Sequence, residues 1–105
     1  PFSEKPTLSV LYRTNLRYEL ALEELNEYLE ATRELDLIGI KDAIADQLYI
    51  LLGTALEHGI LDELEDIFTE VHKSNMSKLD DNGKAIIRED GKILKGKNYF
   101  KPNIK

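Results

Sequence analysis

The hydrophobic pattern has the period of α-helices over roughly the first three quarters of the chain. Apolar residues recur at Leu16, Leu20, Leu25 and Leu29, inside a stretch from Leu8 to Arg33 that contains neither Gly nor Pro. This spacing predicts one long amphipathic helix. The two prolines in residues 1–7 disfavour helix, so these residues are expected to form an extended lead-in.

Two further helices are expected after a short break at residues 36–39, where Gly39 is taken as the stop signal. The second runs from about Lys41 to His58 and is apolar nearly all round. It is therefore expected to be the central and most buried element. Gly59 suits the left-handed position that follows a helix end. The third helix is expected from Leu61 to about Ser77.

The pattern changes to turns and short strands near the C-terminus. Asp90-Gly91 suits a two-residue hairpin turn between strands at Ala85–Arg88 and Lys92–Lys95. A two-stranded ribbon is marginal alone, so it is expected to pack on the helices. The sequence thus predicts an all-α helical bundle with a small C-terminal β-hairpin. We expect a single domain, with a helical core at 8–78 and a basic hairpin and tail at 79–105.

Composition narrows the classes of function. The 105 residues carry a net charge of −6 and no cysteine, which excludes disulfides, thiolate nucleophiles and zinc–thiolate sites. The negative charge argues against nucleic acid as a partner. No apolar run reaches membrane-spanning length, so no membrane partner is expected. The lack of cysteine is compatible with a reducing compartment, and we expect a cytoplasmic protein. Acidic residues dominate Glu19–Asp66, whereas basic residues dominate Lys73–Lys105.

Carboxylates on the first two helices form the candidate metal site. Glu24 and Glu27 are three residues apart and share a helix face. Asp46 lies within the apolar segment "AIADQLYILLGTAL" and shares a face with Asp42. If the two helices form an antiparallel hairpin, these carboxylates converge, and a hard divalent cation such as Mg²⁺, or Mn²⁺ in its place, would neutralise them.

Simpler interpretations of the same residues remain open. The glutamates also suit the solvated face of a surface helix. Asp46 would also be satisfied by pairing with Arg13, Arg17 or Tyr49.

The basic C-terminal part supplies candidate contacts for phosphate. Mg²⁺ commonly completes its coordination shell with substrate phosphates, and lysines bind phosphate as point charges. The candidate substrate-binding residues are Asn75, Lys78, Lys92 and Lys95. The alternative for each lysine is a solvated surface position.

Four blocks together resemble the MazG-like, all-α nucleoside triphosphate pyrophosphatases. They are "LALEELNEYLEA", "DAIADQLYILLGTALEHGI", "FTEVHKSNMSK" and "EDGKILKG". The chain is most similar to the small, phosphoribosyl-ATP pyrophosphohydrolase-like members, over about Leu8 to Lys97. The resemblance implies Mg²⁺-dependent cleavage between the α- and β-phosphates of a nucleotide, giving a monophosphate and pyrophosphate. It also implies a homodimer or homotetramer built around helices from two chains.

The same resemblance implies roles for individual residues. The family pattern has an E-x-x-E pair, matched by Glu24 and Glu27, and an E-x-x-D pair, of which Asp46 matches the second member. The expected glutamate falls at Ala43, and Asp42 is a potential substitute as a metal ligand. Glu24 or its neighbour Glu23 is expected to accept the proton of an attacking water.

Three functions stay open at this stage. The first is hydrolysis of a nucleoside or deoxynucleoside triphosphate, and the second is hydrolysis of phosphoribosyl-ATP. The third is a non-catalytic, nucleotide-binding or self-associating helical module, which the alanine at position 43 favours.

Overall fold

The computed structural model describes residues 4–8 and 11–105 and confirms an all-α chain with a small C-terminal β-hairpin. Its elements are α1 (Leu11–Arg33), α2 (Leu37–Glu57), a 3₁₀ turn (Leu61–Glu63), α3 (Leu64–Met76), β1 (Ile86–Ile87) and β2 (Ile93–Leu94). Residues 1–3 of the predicted lead-in and residues 9–10 of the predicted first helix lie outside the described residues. The chain divides into two compact units, and the boundary in the sequence falls between Asp62 and Glu63.

The turn between α1 and α2 corrects the predicted break at 36–39. Leu35 adopts the left-handed φ of 57°, and the Asp36 amide donates to the carbonyl of Ala31 at 2.9 Å. This is the Schellman ending of a helix, with leucine where glycine is usual. Asp36 then caps α2, since its side chain accepts a hydrogen bond from the Gly39 amide. Gly39 is therefore not a stop signal but part of the first turn of α2.

The end of α2 follows the prediction. Gly59 has a φ of 70°, and the Ile60 amide donates to the Ala55 carbonyl at 3.0 Å. This hydrogen bond satisfies one of the carbonyls that a helix end leaves without an intrahelical donor.

α1 and α2 form an antiparallel hairpin joined by an ion-pair network. Arg13 donates to a Glu57 carboxylate oxygen at 2.8 Å, and Nε of Arg17 lies 3.1 Å from the other oxygen. Arg17 also donates to the hydroxyl of Thr54. A Cβ at Gly53 would lie 2.6 Å from Nη2 of Arg17, so this glycine makes room for the guanidinium. The start of α1 is thereby fixed against the end of α2.

The expectation that α2 would be the most buried element is wrong for the single chain. Its buried residues are only Ala43 and Ala55, and these small side chains allow close approach to α1. Leu51, by contrast, is 60% exposed. Two helices can cover only one face of each other, so the remaining apolar faces of α2 have no cover from α1.

The second unit contains α3, which begins three residues later than predicted because a 3₁₀ turn precedes it. The rest of this unit is attached to the C-terminal end of α3. Ser74 is buried, and its hydroxyl donates to the carbonyl of Phe100 at 2.7 Å. The Phe100 amide donates in turn to the hydroxyl of Ser77 at 3.0 Å. The Gly96 amide donates to the Lys78 carbonyl at 2.9 Å. The tail is therefore attached to the end of α3 by specific hydrogen bonds.

The hairpin forms where predicted, with shorter strands and a different turn. β1 and β2 are antiparallel, with Ile87 opposite Ile93. The Arg88 amide donates to the Lys92 carbonyl, so the loop has three residues rather than the predicted two. Gly91, with φ of 91°, is the left-handed third residue of this loop. All four strand residues are exposed, so the expected packing of the ribbon is not observed on α3, the helix of its own unit.

No helix among the described residues is long and apolar enough to cross a membrane.

Candidate active site

The antiparallel hairpin brings three carboxylates together. One oxygen each from Glu24, Glu27 and Asp46 lies within 4.8 Å of the other two. Glu24 and Glu27 are on adjacent turns of α1, and Asp46 faces them from α2. The predicted convergence of these three residues is therefore observed. We call Glu24, Glu27 and Asp46 the carboxylate triad.

The environment of the triad disfavours three simultaneous negative charges. The pKa of Glu24 is raised from 4.5 to about 7, first by hydrogen bonding with Glu27, then by desolvation, and then by the charges of Glu27, Asp46 and Glu23. Oε2 of Glu24 is shielded from solvent and has no hydrogen-bond partner within the described part of the chain. A buried oxygen without a donor is costly, and a cation is one group that would satisfy it.

The alternative partners for Asp46 are not the observed ones. Arg13 and Arg17 both pair with Glu57, so neither arginine neutralises Asp46. Tyr49 is 81% exposed, and no hydrogen bond joins it to Asp46 among the described residues.

The remaining predicted acidic residues lie beside the triad rather than in it. Asp42 is not among the three converging residues. It lines a neighbouring groove of about 450 Å³, together with Glu23 and Glu27. Ala43, at the position of the expected family glutamate, is 2% exposed and lines the same groove. Asp42 therefore does not converge with the triad.

The predicted substrate-binding residues belong to the second unit. Asn75 is exposed near the end of α3, and Lys78 follows that end. Lys78 and Lys92 form no ion pair with any carboxylate in the described ranges, whereas Lys97 pairs with Asp81 at 2.6 Å. The ammonium of Lys95 lies 4.8 Å from the centroid of the Tyr99 ring. Lys95 thus already has a cation–π partner, which makes it the weakest of the three lysine candidates.

One feature of α3 did not emerge from the sequence. The Phe68 and His72 rings stack with centroids 6.4 Å apart and planes inclined by 3°. Phe68 is exposed rather than buried. The available signal was the spacing of four residues between two aromatic side chains, which places them on one helix face.

The pKa of Glu24 leads to a prediction about the metal-free protein. The pKa of Glu24 is about 7 in the folded protein, whereas the ordinary pKa of 4.5 applies in the unfolded chain. The folded state therefore binds more protons in this window, so its stability falls as pH rises through it. We expect the melting temperature in chelator to fall more steeply between pH 4.5 and 7 for wild type than for Glu24→Gln. Parallel curves for the two proteins would contradict this assignment.

Comparison with known proteins gives one family match and no match to a curated protein. A family profile described as phosphoribosyl-ATP pyrophosphohydrolase matches residues 1–75, which is well over half of the chain and includes the whole carboxylate triad.

Proposed function

Since this chain belongs to the phosphoribosyl-ATP pyrophosphohydrolase family, we propose that it hydrolyses the bond between the α- and β-phosphates of a nucleotide with the help of Mg²⁺. The observation that carries this proposal is the carboxylate triad, with its shielded and unpaired Glu24 oxygen. The donors are all carboxylate oxygens, which suits a hard divalent cation such as Mg²⁺ or Mn²⁺. Glu24, Glu27 and Asp46 would hold it.

The proposed reaction needs a nucleophile, a base and charge neutralisation. A divalent cation bound to the triad would neutralise the phosphate charge and lower the pKa of the water that it binds. The oxygen of a water molecule forms a bond to the α-phosphorus while the bond from that phosphorus to the bridging oxygen breaks. The bridging oxygen leaves on the β-phosphate, so the products are a nucleoside monophosphate and pyrophosphate.

The carboxylates of α1 are the candidates for the base. The pKa of about 7 belongs to Glu24 in the metal-free site, and a bound divalent cation would lower it, which would leave an ionised carboxylate that can accept a proton. Glu23 is exposed and adjacent in sequence, and it lines the neighbouring groove. We assign proton acceptance to Glu24 or Glu23, with Glu27 and Asp46 as metal ligands only.

Two substrate classes share the bond that this chemistry cleaves. Nucleoside or deoxynucleoside triphosphates and phosphoribosyl-ATP all contain an α,β-phosphoanhydride, and the family supports both equally. The test is pyrophosphate release from a panel of these compounds, in Mg²⁺ and again in chelator. We expect Mg²⁺-dependent release from at least one class. No release from any compound would favour the non-catalytic binding module.

We also propose that the lysines without ion pairs contact the substrate phosphates. Lys78 and Lys92 have no carboxylate partner in the described ranges, so their charge is available to a ligand. The carboxamide of Asn75 offers the substrate both a donor and an acceptor. Lys95 is only a secondary candidate, because its ammonium already contacts the Tyr99 ring.

Replacement of Lys78 by alanine should weaken catalysis and spare the metal site. Loss of a charged hydrogen-bond partner costs about 1.5–3 kcal/mol, so kcat/KM should fall roughly tenfold or more. Mg²⁺ binding to the free protein should stay unchanged. Lys101→Ala, in the exposed tail, is the matched control and should behave like wild type. Wild-type kinetics for Lys78→Ala would show that this lysine is a solvated surface residue.

Finally, we propose that two copies of the chain associate through the apolar face of the α1–α2 hairpin. A groove of about 690 Å³ runs along this face. Tyr18, Leu25, Leu48 and Leu51 line it, and each is at least 50% exposed. A contiguous apolar patch of this kind marks an interaction surface. A second copy presenting the same patch would cover it by isologous packing, as a dimer or as half of a tetramer.

A further inference from the structure

The exposed face of α3 carries two aromatic rings that the proposed phosphate chemistry does not use. Phe68 and His72 lie four residues apart, and their rings are parallel to within 3°, with centroids 6.4 Å apart. Phe68 is 68% exposed, and His72 is exposed as well. We call Phe68 and His72 the ring pair. It is attached to a regular helix, so its position does not depend on the ordering of a loop.

We propose that the ring pair stacks on the base of a bound nucleotide. This inference rests on the proposed function only in taking the ligand to be a nucleotide. Every nucleobase has a flat π-face, and aromatic side chains on a rigid element form a sequence-tolerant stacking surface for it. Because the two rings stack on each other, a base would stack on an outer face of the pair, where a bicyclic purine makes a larger contact than a pyrimidine does.

Asn75 is placed to read the edge of the stacked base. It follows His72 by three residues and therefore shares its face of α3. Its Cα lies roughly 4.5 Å further along the helix axis. Asn75 is exposed, and a carboxamide matches the paired donor and acceptor on the edge of adenine. This arrangement again favours a purine, and adenine among the purines.

The surroundings of the ring pair suit a small planar ligand better than a protein partner. Glu65 lies three residues before the ring pair, Asn75 lies three residues after it, and both share its face of α3 and are exposed. Leu64 and Met76, four residues before and four after the ring pair, are the apolar residues of the same face. The core of a protein–protein interface is depleted in charge and continuous in apolar surface, whereas here the charged Glu65 and the polar Asn75 interrupt the apolar residues of this face. A second copy of the chain is therefore the less favoured occupant.

The test compares ligands with and without a base. Calorimetry in Mg²⁺ would measure binding of α,β-methylene-ATP, α,β-methylene-CTP and inorganic tripolyphosphate, none of which contains a cleavable α,β-anhydride attached to a base. Phe68→Leu keeps an apolar side chain and removes the π-face, whereas Phe68→Tyr keeps the ring. Phe100→Leu is the matched control, because Phe100 is half exposed in the same unit.

We expect Phe68→Leu to weaken binding of the ATP analogue roughly tenfold, to weaken the CTP analogue less, and to leave tripolyphosphate unchanged. Phe68→Tyr and Phe100→Leu should bind like wild type. Equal losses of affinity for the ATP analogue and for tripolyphosphate would overturn the proposal. So would a Phe68→Leu variant that changes its oligomeric mass but does not lose more affinity for the ATP analogue than for tripolyphosphate.

The ring pair and the proposed function can fail separately. If wild type releases pyrophosphate from nucleotides but Phe68→Leu binds the ATP analogue normally, the ring pair is not a base site and the hydrolase proposal stands. If wild type neither binds the analogues nor releases pyrophosphate, both proposals are wrong.

Discussion

Asp46→Asn should abolish Mg²⁺-dependent pyrophosphate release, with a loss on the order of 10²-fold or more, while leaving a folded protein. Asp46 supplies one of the three converging carboxylates, and an amide keeps its shape but gives up the charge that a divalent cation requires. The same change removes a negative charge next to Glu24. The metal-free variant should therefore melt at or above the wild-type temperature, because repulsion within the triad is relieved.

Asp42→Asn is the matched control for this experiment. Asp42 lies one turn earlier on α2 but outside the triad, in the adjacent groove. The expected order of activity is wild type close to Asp42→Asn, with both far above Asp46→Asn. Full activity in Asp46→Asn would show that the triad is not the site. A loss of activity in Asp42→Asn as large as that in Asp46→Asn would show that the catalytic carboxylates extend along α2.

The second large effect concerns assembly. Leu51→Glu should convert the protein to monomer, because it would bury an unpaired carboxylate in the proposed contact at a cost of several kcal/mol. In an isologous interface both copies carry the substitution, so two carboxylates would be buried. Light scattering coupled to size exclusion would measure the mass of wild type and variant at micromolar concentration.

Leu37→Glu is matched to Leu51→Glu in residue type, helix and exposure. Leu37 is 62% exposed and Leu51 is 60% exposed, but Leu37 is the first residue of α2 and does not line the groove. We expect Leu37→Glu to keep the wild-type mass. A monomeric wild type, or equal dissociation by both variants, would refute the proposed contact surface.

The triad was predictable because it depends on helix periodicity alone. The spacing of Glu24 and Glu27 fixes their common face, and a hairpin of two helices then brings Asp46 opposite them. The start of α2 was missed for a local reason. Leu35 occupies a left-handed position that glycine usually fills, so the nearby Gly39 was taken for the stop signal.

Burial of α2 was not predictable from its apolar pattern. Periodicity predicts that Leu48 and Leu51 are buried, but it does not show whether residues of the same chain or of a second chain bury them. The ion pairs of Glu57 were missed because they join residues more than 35 positions apart. In both cases the missing information is tertiary, since it depends on which helix faces pack together.

The attachment of the tail to α3 bears on where this protein can be cut. The family match ends at residue 75, one residue before the last residue of α3, Met76. The buried hydroxyl of Ser74 has its acceptor at Phe100, and a Cβ at Gly96 would lie only 2.7 Å from the Lys78 carbonyl oxygen. A truncation at the end of the family match would remove Phe100 and leave the Ser74 hydroxyl without that partner. The shortest fragment that preserves the end of α3 therefore extends through Phe100, beyond the boundary that sequence similarity would draw.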